Sequence, residues 1–122
     1  VSENTASRWP DEIRLNKEKT RLTVRFGESE IFELPAEYLR VESPSAEVQG
    51  HGPGQRQTVG GKLRVTIAAL EPVGHYAVRI IFSDGHDTGL FTWAYLHQLG
   101  AEQETKWAAY LEDLAVQGLR RE

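Results

Sequence analysis

At 122 residues the chain is long enough for one domain with a real core and too short for two. Hydrophobic residues at 39% against 26% charged place it among folded chains, and the net charge of −4 argues against a polyanionic partner, because nucleic-acid modules carry a basic surplus. There is no cysteine, which excludes disulfides, thiolate metal sites and cysteine nucleophiles, and no apolar run approaches the roughly 20 residues of a membrane-spanning helix.

Residues 1–8 are polar and without periodicity, so a flexible start is expected; they also lack a signal peptide's apolar stretch, and a cytoplasmic protein is the expectation. From Trp9 onward the pattern sharpens. Ile13 and Leu15 alternate with Glu12, Arg14 and Asn16, and after the polar turn Lys17-Glu18-Lys19 the alternation resumes at Leu22, Val24 and Phe26, a hairpin with one buried face. Gly27–Glu30 turns into a third strand, Ile31–Leu34, and Pro35 suits the first turn of a short helix over Pro35–Arg40. Ser43–Gly61 holds two prolines and five glycines in SPSAEVQGHGPGQRQTVGG, too many for a long regular element, and a loop of that length in a small domain is commonly functional.

Leu63, Val65, Ile67 and Ala69 mark a fourth strand, which the turn Glu71–Gly74 joins to the strongest strand of the chain. There Tyr76, Val78, Ile80 and Phe82 share one face, while Ile81 on the other suggests a central strand covered on both sides. A polar turn, Ser83–Asp87, leads into an aromatic helix start and then a last helix, with Trp107, Leu111, Leu114 and Ala115 on one face and Gly118 as its C-cap. The fold class is therefore α+β: a mainly antiparallel sheet of about five strands, with a short helix after the third strand and two C-terminal helices packed on it. Residues 9–119 form a single domain in this reading, with 120–122 as a tail.

The sharpest chemical feature is Asp84-Gly85-His86-Asp87. A histidine between two carboxylates can bind a metal or act as a base of fixed tautomer; equally, aspartate and glycine suit a tight turn, and the carboxylates can cap the helix that follows. A two-histidine iron site would need His51, His75 or His97 as its second histidine, and no spacing selects one. Gly50-His51-Gly52-Pro53-Gly54 and Gly60-Gly61-Lys62-Leu63 both fail as phosphate loops, the latter for want of a hydroxyl after lysine. Arg21, Arg25, Arg64 and Arg79 read as a basic stripe or as solvated strand residues, the aromatic residues read as core, and no Gly-x-Ser-x-Gly elbow is present.

Three ordered segments carry a family resemblance: Trp9-Pro10-x-Glu12-Ile13-Arg14, then Leu34–Ser45 (LPAEYLRVESPS), then Phe82–Trp93 (FSDGHDTGLFTW). Together they resemble the gamma-butyrobetaine hydroxylase-like N-terminal domain, a bacterial domain of unknown function, over about Trp9 to Leu119. In the hydroxylase this small domain precedes a separate iron- and 2-oxoglutarate-dependent catalytic domain and carries a structural zinc. The resemblance puts the zinc cysteines at Ser43, Ser45 and Val48 and the zinc histidine at His86. Three of four ligands are thus replaced by residues that cannot close a tetrahedral zinc site.

The resemblance is to the small domain alone, so carnitine-type hydroxylation is not implied. The same domain occurs fused to ATPases that carry iron–sulfur clusters, which implies an accessory role beside a larger partner, here without thiolates to hold a cluster. The expectation is a non-catalytic module that binds a protein partner, not nucleic acid or membrane, and needs no cofactor. Its candidate binding residues are Arg40, His51, Asp84, His86 and Asp87. The alternative is a metal-binding protein that holds zinc or iron on His86 and nearby carboxylates.

Overall fold

The computed structural model describes residues 9–50 and 54–122, so the expectations for residues 1–8 and for His51 lie outside it. Its elements run β1 (Glu12–Leu15), β2 (Arg21–Phe26), β3 (Glu30–Pro35), α1 (Ala36–Val41), α2 (Ala46–Gln49), β4 (Ile67–Val73), β5 (Ala77–Phe82), β6 (Leu90–Thr92), α3 (Trp93–Ala101) and α4 (Gln103–Gln117). This is the expected α+β class, but the strands form two three-stranded antiparallel sheets, β1-β2-β3 and β4-β5-β6, rather than one sheet of five.

The first sheet follows the alternation closely. Leu22, Val24 and Phe26 are fully buried; Leu22 pairs with Leu15 and Leu34, Val24 with Ile13 and Phe32, and Phe26 with Glu30 across the hairpins. Asn16 shapes the first turn, its side-chain oxygen accepting from the amides of Thr20 and Arg21, and Gly27 turns the second with φ 74°, a value that suits glycine. Pro35 ends β3 in extended conformation, so the helix starts one residue later than expected, at Ala36.

The second sheet departs from expectation at four points. β4 extends through Val73 and includes Pro72, because β4 is an edge strand and a missing amide on its outer side costs the ladder nothing. The strand starts only at Ile67, so Leu63 lies before it and is exposed, and between Ile67 and Ala69 the register slips by one residue, a β-bulge at Ala68 that breaks the alternation expected there. Tyr76 does not share the face of Val78, Ile80 and Phe82; it lies in the turn, 55% exposed, because the strand begins at Ala77. The fourth departure is β6, three residues that pair with Ala77–Arg79 and make β5 central.

The sheets meet through one core, in which Leu22, Val24 and Phe26 join Val78, Ile80 and Phe82 with Leu96 and Leu99 of α3. The Ile67 amide donates to the Lys19 carbonyl at 2.8 Å and ties the second sheet to the hairpin turn of the first. Thr92 caps α3 by accepting from the Tyr95 amide, a role the sequence reading had offered to the aspartates of the preceding turn. On α4 the buried residues are Tyr110 and Leu114, with Trp107 partly buried beside them, whereas Leu111 and Ala115 face outward. Tyr110 displaces them because its hydroxyl finds a partner on the inner side, the Val59 carbonyl at 2.6 Å. Gly118 closes the helix in the left-handed region, as expected.

The six residues of α1 are all buried. Such a short helix is held by its neighbours rather than by its own hydrogen bonds. Tyr38 donates to the Leu99 carbonyl at 2.7 Å, Glu37 takes a two-pronged pair from Arg121, and Arg40 reaches the turn after β5.

Candidate functional site

Turn and loop are brought together at the end of β5. Gly85, with φ 90°, lets the chain fold back so that the Phe82 amide donates to the His86 carbonyl and Asp84 Oδ1 accepts from the His86 amide at 3.1 Å. The turn chemistry of aspartate and glycine is therefore as expected. Asp84 Oδ2 receives Arg40 Nε at 2.8 Å and Lys62 Nζ at 2.6 Å. Burial opposes its ionisation, but Lys62, the His86 amide and Arg40 outweigh that and hold the carboxyl down to about 2.

His86 points the other way, into the loop between α1 and α2. It is buried, with Nε2 at 2.9 Å from Ser43 Oγ and Nδ1 at 3.3 Å from Glu47 Oε2. One tautomer satisfies both contacts: Nδ1–H faces the Glu47 carboxylate, Nε2 accepts the Ser43 hydroxyl proton, and Ser43 Oγ in turn accepts from the Ser45 amide at 3.3 Å. Burial, then the Arg40 charge, lowers the imidazole pKa below its ordinary value against the opposing pull of Glu47 and Asp84, which favours the neutral ring. Around this core Ser45 Oγ meets Thr88 Oγ1 at 2.7 Å, Thr88 donates to Glu47, and Ser45 caps α2 by accepting from the Glu47 amide. Gly89 packs against the Ser43 hydroxyl so closely that a Cβ there would collide with it.

Of the candidates read from sequence, Arg40, Asp84 and His86 converge, and Ser43 and Ser45 join them. Val48 is buried on α2. Asp87 turns away to Arg79, whose Nη1 lies 3.4 Å from its carboxylate and 3.2 Å from its carbonyl. Neither Glu47 nor Lys62 was singled out in sequence. Lys62 follows two glycines in a stretch weighed only for phosphate, and Glu47 sits two residues past a serine, a capping signal too common to stand out. The four arginines form no stripe: Arg64 precedes β4 and faces Glu122, Arg21 faces Glu33, Arg25 faces Glu12, and Arg79 pairs with Glu71 and Asp87.

Hydroxyl, imidazole and carboxylate in sequence resemble the arrangement that activates a serine nucleophile, but Ser43 is fully buried and Gly89 closes over it, so no carbonyl can reach the oxygen. A resident zinc does not fit either. Both imidazole nitrogens are engaged, the neighbouring ligand positions offer hydroxyls rather than thiolates, and among the described residues no group of three or more His, Asp or Glu is placed to hold a metal ion. What the cluster does is hold: it fastens the α1–α2 loop to the β5–β6 turn.

A small two-sheet α+β domain with a buried polar fastening between its loop and its central turn is thus the class that fold and site define. The chain belongs to the family described as gamma-butyrobetaine hydroxylase-like, N-terminal, which it matches over residues 13–97. Among solved structures it is similar to two proteins determined by NMR in solution. The first is 50% identical with a TM-score of 0.83, covering 94% of this chain and 90% of that one; the second is 38% identical with a TM-score of 0.80, covering 99% and 90%. It is also similar to a crystal structure of a DUF971-family protein of unknown function from Acidithiobacillus ferrooxidans, 40% identical with a TM-score of 0.65, covering 82% of this chain and all of that one. No curated protein matches. Among the described residues no helix is long and apolar enough to cross a membrane.

Proposed function

We propose that the protein is a non-catalytic accessory module that works by binding a protein partner in support of a larger enzyme or an iron–sulfur system. The observation that carries this reading is the state of the candidate site: the groups that could do chemistry there are consumed by one another. His86 has a partner on each nitrogen, Asp84 is held by two cations, and the Ser43 hydroxyl is fully buried. A site arranged for catalysis keeps at least one such group free and a path open to it. Membership of a family of unknown function is compatible with this reading and adds no activity to it.

The test is quantitative capture from the source cell. Tag-free protein immobilised at rising density is expected to retain one protein species saturably. Turnover by the purified protein alone, or the lack of any saturable partner, would overturn the proposal.

A further inference from the structure

Along α4, away from the fastening, runs a groove of about 540 Å³ lined by Gly100, Ala101, Glu104, Trp107, Ala108 and Leu111. Its composition is unusual for a helix face left to water. Ala108, Leu111 and Ala115 recur at three- and four-residue spacing on one exposed stripe, Val116 is 78% exposed beside it, and Leu119 continues the apolar surface past the helix end. Alanines at two of these positions would let a second helix approach closely. Trp107 stands at the groove's wall, half-buried, steadied from behind by the Arg121 guanidinium at 5.3 Å from the ring centroid; such a preset aromatic is the usual anchor of an interface.

Charge selects the occupant. Most carboxylates on the sheets and on α1 are matched by a cation, from Glu12 and Glu33 to Glu37, Glu71 and Asp87. Glu104 and Glu112, which flank the α4 stripe, are exposed and have no cation partner among the described residues; the nearest lysine on the helix, Lys106, is turned to Glu102. Between Glu104 and Ala115 the stripe carries no lysine or arginine, so a second copy packed face to face on it would set carboxylates against carboxylates along that seam. We infer that this groove is the docking surface of the module, and that it takes an amphipathic helix of the partner protein whose apolar ridge faces Ala108 and Leu111 and whose lysines or arginines face Glu104 and Glu112.

This inference rests on the accessory reading, and the test separates the two. A displayed library of amphipathic helices, random in the residues flanking the apolar ridge, is selected in parallel on the wild type, on Ala108→Glu, and on the charge-reversed Glu104→Lys/Glu112→Lys protein. The wild type is expected to enrich helices with basic flanks, whose affinity falls about tenfold or more on Ala108→Glu and weakens with added salt, while the reversed protein enriches acidic flanks. Equal enrichment on Ala108→Glu, flanks indifferent to charge, or a concentration-dependent dimer that Leu111→Asp abolishes would each overturn the groove assignment. Saturable capture of a cellular partner that Ala108→Glu leaves unchanged would remove the groove and leave the accessory role standing.

Discussion

Asp84 gathers three unlike donors: a guanidinium from α1, an ammonium from the loop before β4, and the amide of His86 in its own turn. Because its carboxyl is held near 2 in the folded chain and lies near 3.9 in the unfolded one, the pair adds stability above about pH 4 that is lost as the pH falls towards 2. His86 works in the same direction at milder acidity. Its folded value is depressed, so below about pH 6.5 the unfolded chain takes up the proton first and stability declines. Asp84→Asn is therefore expected to lose about 1–2 kcal/mol at neutral pH, allowing for solvent at this turn, and to show a flattened stability profile between about pH 4 and pH 2 with the decline below pH 6.5 intact. Urea titrations across that range check this; an unchanged acid limb in the variant would detach the pairs from stability.

Local pattern announced this turn but not its partners; only the family resemblance set Ser43 and Ser45 beside His86. Asp84-Gly85 is legible because aspartate and glycine have local reasons to be in a turn. The Ser43–His86 contact spans 43 residues, and no local pattern distinguishes Ser43 from any other buried serine.

At the scale of elements, α3 lies against β3 through a missing side chain. Gly100 meets the Phe32 ring where a Cβ would fall far inside contact distance of its base, so the helix can approach the sheet only as glycine allows. In an open helix Gly100→Ala would stabilise by a few tenths of a kcal/mol up to about 1; here it is expected to destabilise by about 1–3 kcal/mol, read as a lower urea midpoint at constant slope. The strands were legible where alternation is uninterrupted, as in β2 with Leu22, Val24 and Phe26. They were misread where a single residue breaks the count. The bulge at Ala68 moves the phase of β4, and Pro72, taken as a turn residue, is tolerated because β4 has an open edge. β6 was missed because three residues give too few alternations to detect, and α4 turns by part of a face from the one expected because the Tyr110 hydroxyl has a carbonyl to bond on the inner side.

Across the whole molecule, the last residues close the structure. The carbonyls of Arg120 and Arg121 accept from Gly61 and Leu63, and Arg121 lays its guanidinium across Trp107 while donating twice to Glu37, which is 7% exposed. Removing one side of that pair strands a largely buried carboxylate. Arg121→Ala is expected to destabilise by about 1–3 kcal/mol, more than Arg64→Ala, whose partner Glu122 is exposed. Thermal unfolding of the two variants side by side checks the ranking, and equal midpoints would refute it.

The dependence of α1 on distant residues has a consequence in time. Arg40, Tyr38 and Glu37 find their partners 44, 61 and 84 residues further along the chain. As the chain leaves the ribosome, the first sheet can form early from neighbouring segments, but the helix that follows it has only that sheet to lie on, and lacks its long-range partners until α3 and Arg121 have emerged. A nascent chain stopped before α3 would therefore carry a paired hairpin beside an unfolded, apolar α1, and it is this interval, rather than the finished protein, in which a chaperone would find a binding segment.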